Sequence, residues 1–225
     1  LEEAKKAAYV LVCESARADG SLVNRRKGSA TFGLHFHGIA SHAGNDPEKG
    51  RSAVVEMAHW ILELGKHNDY ANGTSLTIGL VKGGSASNVV PEYAEATLDL
   101  RFWDNNKFDE IKALLDKLAA KPFVDGVKVE VRVQAKKPAM VMNAGTEKLM
   151  HFVEAAGKKI GLPITWQAVG GGSDANVTSA HGIPSLDGFG PIGACFQSDK
   201  EYLEIDSIEQ RVALLKATIE EIAAA

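Results

Sequence analysis

At 225 residues the chain is long enough for one large core or two modest domains, and length alone does not choose between them. Its 25 basic and 29 acidic residues give a formal charge of -4 with no basic cluster of nucleic-acid footprint size, and no apolar run approaches bilayer length. Nucleic acid and membrane are therefore set aside as partners, while Cys13 and Cys195, too few for a disulfide framework, read as reduced thiols of a cytoplasmic protein, a periplasmic or secreted parent being left open.

The opening LEEAKKAA reads as the closing turns of a helix and Leu1 is no initiator methionine, so the chain is expected to be a fragment. Residues 9–13 (YVLVC) form a continuous apolar run, the pattern of a strand buried on both faces of a parallel sheet. Glu14 follows directly. Ligands of open α/β sheets gather beyond the carboxyl ends of the strands, so Glu14 stands where chemistry is expected. A strand-end carboxylate paired with a nearby cation would give the same pattern. Residues 21–27 are polar and basic, which suits a hinge.

A self-contained pattern comes next: strand 30–37, helix 50–66, strands 74–82 and 93–103, helix 106–120 and strand 126–134. The order βαββαβ predicts two helices on one face of a four-stranded antiparallel sheet. In the loop between its first strand and helix, two glycines flank Ser41, His42 and Ala43, which holds an imidazole at the loop tip. Asn45, Asp46, Pro47 and Glu48 offer a cap, a first-turn proline and an acidic first turn, and Val54, Met57, Ile61 and Leu64 make a helical stripe. The glycine-rich GGSASNVVP that carries Asn88 reads as a hairpin connector. Asp99 and Arg101 share one strand face. The guanidinium suits a bidentate grip on a carboxylate, or the two form a surface pair.

Beyond residue 137 the pattern returns to α/β: helix 145–160, strand 164–169, helix 174–180 ending near His181, strand 184–189 and closing helix 206–222. Residues 1–26 and 137–225 thus form one domain and 27–136 another. The junction VGGGSDA sets Gly170, Gly171 and Gly172 where backbone N–H groups can approach a ligand, ahead of a helix capped by Ser173 or Asp174. It does not satisfy the dinucleotide fingerprint.

Taken together, the SHAG loop around His42, the NVVP segment after Asn88, the GGGSD junction, PSLDGFGP and SDKEYLEID, in that order and spacing, resemble the C-terminal portion of a di-zinc peptidase and amidohydrolase family. That family includes bacterial glutamate carboxypeptidases, which the chain is most similar to, aminoacylases and succinyl-diaminopimelate desuccinylases. The resemblance implies an incomplete α/β catalytic domain with the βαββαβ module inserted as a lid, and a homodimer formed through that lid. It also implies amide-bond cleavage in an N-acyl amino acid or a peptide with a free carboxylate, glutamate being favoured, by two zinc ions sharing a bridging water.

On the same resemblance, Glu14 is a zinc ligand and His42 reaches across the dimer to stabilise the reacting oxygen. Asn88, Arg101, Gly170, Gly171, Gly172 and Ser173 hold substrate. The first His, the bridging Asp and the Glu-Glu pair of the family belong to a half that precedes this chain. Gln197 stands where the last His ligand is expected, and an amide oxygen is a weak zinc donor. The chain alone is therefore expected to be inactive, with that preceding half as a further partner. Cys195 is read as a buried inert thiol rather than a substitute ligand. Two other classes stand beside this one: a non-catalytic dimerisation or binding module, and a nucleotide-binding α/β protein resting on the glycines alone.

Overall fold

Three short strands open the chain, β1 (Val10–Leu11), β2 (Ser15–Ala16) and β3 (Leu22–Arg26), in a computed structural model that describes residues 1–225. Two expectations change here. The 9–13 run is half-buried, not enclosed, and Cys13 is exposed, because β1 has a partner strand on one edge only. The stretch 21–27 is not a hinge: Leu22, Val23 and Arg26 are buried in a strand that pairs in parallel with a later one.

The chain then forms a unit from Ser29 to Lys137. Its elements are β4 (Gly28–His37), β5 (Ser41–His42), α1 (Ala53–Gly65), β6 (Ser75–Gly83), β7 (Val89–Val90), β8 (Tyr93–Phe102), α2 (Asn106–Ala120) and β9 (Lys128–Lys137). The four long strands make one sheet in the order β6-β8-β4-β9, with the β6–β8 and β4–β9 ladders antiparallel. Alternation explains it. Along β8, Ala94, Ala96, Leu98, Leu100 and Phe102 are buried while the residues between them face outward. The buried row meets Met57, Trp60 and Leu64 of α1 and Phe108, Ile111 and Leu115 of α2, with Phe36 edge-on to Trp60 at 5.5 Å and Phe32 stacked on Phe108 at 5.7 Å.

Helix α1 begins later than the sequence suggests. Pro47–Lys49 makes only a turn of 3₁₀ helix, and the cap of α1 is Ser52, whose hydroxyl accepts from the Val55 N–H at 3.2 Å. The buried stripe is correspondingly Ala53, Met57, Trp60 and Leu64, with Ile61 at the surface. Glu56 is fully buried in this core. Its two oxygens accept from Trp60 Nε1 at 2.8 Å and Val124 N at 2.7 Å, so the carboxylate is satisfied and pins the helix to the loop before β9.

The second unit joins Leu1–Gly28 to Pro138–Ala225. It adds α3 (Ala144–Ile160), β10 (Trp166–Val169), α4 (Asp174–Ala180), β11 (Ser185–Leu186), β12 (Gly190–Ala194), β13 (Tyr202–Leu203) and α5 (Ser207–Ala223). The ladders β1–β11, β3–β10 and β2–β12 are parallel. Leu149, Val153 and Ala156, spaced four and three apart on α3, close over Leu22, Leu186 and Phe189 together with Leu214 and Ala217 of α5. Each buried Leu, Val or Phe among them contributes roughly 1.5–3 kcal/mol. No helix is long and apolar enough to cross a membrane.

Candidate functional site

Where the parallel strands of this second unit end, their carboxyl-terminal loops surround a cavity of about 500 Å³ lined by Glu14, Ser15, Arg17, Arg26, residues 169–172, Phe196, Gln197 and Glu201. The loops reach it for local reasons. Glu14 sits between β1 and β2, and its carbonyl accepts from Gly190 N at 2.9 Å. A side chain at Gly190 would lie 2.7–2.8 Å from the Cys13 and Glu14 carbonyls, so only glycine lets β12 come this close.

Gly170, Gly171 and Gly172 follow β10, and none of their N–H groups bonds within the protein. Beneath them lies a network that the sequence did not announce. Arg26 Nε donates to Asp187 Oδ2 at 2.7 Å and its Nη1 donates to the Gly171 carbonyl at 2.9 Å. Asp187 is fully buried; its other oxygen accepts from Gly188 N at 2.6 Å, and the Ser173 hydroxyl makes a short bond to Oδ2. Ser173 also caps α4 in a capping box with Asn176, whose amide reaches the Lys27 and Pro138 carbonyls. Ser173 thus lies behind the cavity wall with its hydroxyl already used, so it positions the glycine turn and does not face the cavity. Asp187 and Arg26 are the pair that sequence reasoning missed; the acidic residue inside PSLDGFGP was the available signal.

The wall opposite is built from strained backbone. Cys195 and Gln197 are the two non-glycine residues with positive φ, 59° and 62°, a conformation that costs on the order of 1–3 kcal/mol apiece. It is held by Gln197 N donating to Glu201 Oε2 at 2.9 Å and by Ser198 Oγ donating to the Cys195 carbonyl at 2.6 Å. Phe196, between them, lies under the Arg17 guanidinium at 5.1 Å. Cys195 is exposed, not buried, because this turn lies at the surface.

Tested against these residues, a zinc pair does not find its donors. Glu14 and Glu201 supply carboxylates and Gln197 a neutral amide, but no three His, Cys, Asp or Glu side chains gather anywhere in the chain.

In the Ser29–Lys137 unit, the loops of His42 and Asn88 are stapled together. The two-residue strands β5 and β7 pair His42 with Val89, and Ala43 N donates to the Asn88 carbonyl at 2.9 Å. His42 is exposed, and its Nδ1 accepts from Gly44 N at 3.1 Å and Asn45 N at 3.2 Å. A nitrogen that accepts two N–H groups carries no proton, so the neutral ring is an Nε2–H donor. Arg101 is not brought to this pair. Gly38 N donates to the Glu92 carbonyl beside His42's loop, whereas Arg101 is nine residues further on, near the far end of β8, about 30 Å away at strand rise. Its fork is filled by Asp99, at 2.7 and 2.9 Å.

His35 and His37 lie against the Tyr93 ring, with centroids at 6.4 and 5.4 Å. His35 Nδ1 meets the Tyr93 hydroxyl at 2.9 Å, and that hydroxyl donates to Glu95 at 2.9 Å. The bond from Tyr93 holds the Glu95 carboxyl below its usual range, and burial followed by Glu95 itself pushes the Tyr93 phenol up.

Residues 24–127 match the peptidase dimerisation domain family, M20_dimer. Over those residues the chain carries an M20 peptidase dimerisation domain. Across 99% of its length it is 31% identical to carboxypeptidase G2 of Pseudomonas sp. (strain RS-16), and across 97% it is 28% identical to succinyl-diaminopimelate desuccinylase of Psychrobacter arcticus. It spans 54% and 55% of those two proteins. Among solved structures it superposes on aminopeptidase PepT from Bacillus cereus ATCC 10987 with a TM-score of 0.81 at 27% identity, covering 98% of this chain and 59% of that one.

The surfaces of the dimerisation domain are unequal. Its β9 edge carries Lys128, Glu130, Arg132 and Lys136, the charges that discourage strand addition. The β6 edge instead has Gly79, Leu80 and Val81, with Leu80 68% exposed. Beside it, α1 turns Val55, Ala58 and Leu62 outward, an apolar stripe at spacing three and four that nothing covers in the single chain.

Proposed function

We propose that this chain supplies the lid and one wall of the reaction centre of a hydrolase acting on the amide bond of an N-acyl amino acid or peptide with a free carboxylate, glutamate being favoured. The observation that carries this reading is that Glu14, the three glycines and Gln197, distant in sequence, line one cavity. The unbonded glycine N–H groups would hold an anionic substrate group. His42, presented by the lid of a second copy, would donate its Nε2–H to the reacting carbonyl oxygen, a donor role that needs no change of protonation during the reaction. The uncovered β6 edge and α1 stripe support a homodimer through the lid.

Because the donors present do not fit a zinc pair, the isolated chain should bind substrate without turning it over. Calorimetry should detect N-acetyl-L-glutamate binding to the 225-residue chain, with Gly171→Val abolishing it. Zinc-dependent hydrolysis by the chain alone, or no binding at all, would refute the proposal. For the dimer, sedimentation should give a dimer that Leu80→Lys with Leu62→Lys converts to monomer.

Gln197 and the missing third donor also support a second reading, a non-catalytic dimerisation module. Titration of N-acetyl-L-glutamate separates the two: a dimer that binds it favours the enzyme part, and a dimer that gives no heat favours the module.

A further inference from the structure

Two arginines line the cavity, and they are not equivalent. Arg26 has its Nε on Asp187 and its Nη1 on the Gly171 carbonyl, so its charge is neutralised inside the wall. Arg17 makes no ion pair and no side-chain hydrogen bond; its one partner is the ring of Phe196, 5.1 Å from the guanidinium carbon. Stacking on an aromatic ring satisfies the face of a guanidinium and leaves the N–H groups at its rim free. The residue is half-buried, so a salt bridge formed there is less screened than one at the open surface.

The backbone on both sides fixes where that rim sits. Arg17 N donates to the Ser21 carbonyl at 3.0 Å and Gly20 N to the Arg17 carbonyl at 2.7 Å, closing a tight turn directly after β2. Asp19 in that turn accepts from Ser21 N at 3.0 Å and from Gln167 Nε2 at 2.8 Å, and it forms no ion pair with Arg17. Buried Arg211 braces the turn from beneath through the Gly20 carbonyl, at 2.5 Å. On the other side, Phe196 is held between the left-handed Cys195 and Gln197. The strained turn thus presents the ring on which Arg17 lies.

We infer that Arg17, laid on Phe196, is a specificity-determining residue that grips the α-carboxylate of the substrate in this cavity, opposite the free N–H groups of Gly170, Gly171 and Gly172. The assignment rests on the proposed amide-hydrolase reading and deepens it. Glu14 and Glu201 share the cavity walls, and the inference places the ligand's negative charge at Arg17 and the glycine turn, not beside those carboxylates. Arg17 acts here as a binding group; no bond is made or broken on it.

The test compares two probes, N-acetyl-L-glutamate and its α-carboxamide, titrated by calorimetry into the full chain and into Arg17→Ala, Arg17→Lys and Phe196→Leu. A charge-assisted hydrogen bond contributes on the order of 1.5–3 kcal/mol, so the wild-type chain should prefer the acid by about 10- to 100-fold. Arg17→Ala should erase that preference, lowering the affinity for the acid by far more than the affinity for the amide. Arg17→Lys should restore part of it, and Phe196→Leu should reduce it several-fold. As an independent readout, phenylglyoxal should modify Arg17 faster than Arg26 by mass spectrometry, and the acid, not the amide, should protect it. Wild-type chain that binds acid and amide equally, or an acid preference that survives Arg17→Ala, overturns this assignment and leaves the function reading standing. Chain that binds neither probe overturns both.

Discussion

Two arginine–aspartate pairs of nearly the same geometry sit in the two units, and their surroundings make them different objects. In one, Arg26 and Asp187 meet at 2.7 Å with their side chains 7% and 0% exposed. In the other, Arg101 and Asp99 meet at the same distance with 39% and 37% exposure. Distance therefore says little about what an ion pair contributes. The buried pair is locked to the Gly171 carbonyl, the Ser173 hydroxyl and the Gly188 N–H, and it shapes the cavity wall. The exposed pair lies on the face of the dimerisation-domain sheet away from the helices, where water competes for each partner.

The largest expected effect follows from removing half of the buried pair. Arg26→Ala or Asp187→Ala leaves an uncompensated charge in the interior, a loss of about 3–5 kcal/mol. At roughly 2–4 °C per kcal/mol for a chain of this size, the thermal midpoint should fall by about 10 °C in a calorimetric scan. Replacing both partners, as Arg26→Met with Asp187→Leu, should recover most of the loss, since an apolar pair of similar volume needs no neutralisation. A double variant as unstable as either single one would show that the hydrogen bonds to the glycine turn, not the charges, carry the stability.

Ser173→Ala comes next. It removes the α4 cap together with the hydroxyl on Asp187, and caps are worth about 1 kcal/mol, up to about 2. Because Ser173 stands behind the wall, Ser173→Ala should lower the thermal midpoint by a few degrees while the affinity for N-acetyl-L-glutamate drops less than it does in Arg17→Ala. Equal losses would mean that the hydroxyl faces the ligand after all.

The same contrast explains what could be read from the sequence. The dimerisation domain was legible because its signals are local and long: ten residues of alternation in β8, and apolar spacing of three and four along α2. The other unit hides its order. Its strands β1, β2 and β11 have two residues each, too short for any period to register. The stretch holding Arg25, Arg26 and Lys27 reads as a solvated hinge because the residue that neutralises Arg26 lies 161 positions away. Of the site residues, Glu14, Gly170, Gly171, Gly172 and Gln197 were named from motifs and lie on one cavity, whereas Ser173 lies behind it and Arg101 lies on the dimerisation domain. The role of Phe196 as a platform for Arg17 had no sequence signal, since it depends on the left-handed turn around it.

On the exposed side the effects should be small. Arg101→Ala is expected to cost under about 1 kcal/mol, the range of surface pairs, and to cost less still in 0.5 M salt, while the loss in Arg26→Ala should not respond to salt. A salt-independent loss above about 2 kcal/mol for Arg101→Ala, beyond that surface range, would place Arg101 in the same class as Arg26.

The smallest effect tests the same outer face by titration. Tyr93 donates to Glu95 and holds its carboxyl below the ordinary glutamate value of about 4.3. A depressed folded value means that the ionised carboxylate adds stability above the ordinary value, and that this stability is lost as pH falls through the lowered one. Tyr93→Phe should therefore move the Glu95 titration, followed by carboxyl-carbon NMR, back up toward the ordinary value. Wild type and variant should differ in stability at neutral pH and converge in acid. Were the Glu95 midpoint to stay where it is in Tyr93→Phe, the depression would belong to the second-rank partners, Lys82 and His35, and the face would be ordered by long-range charge instead of by the tyrosine bond.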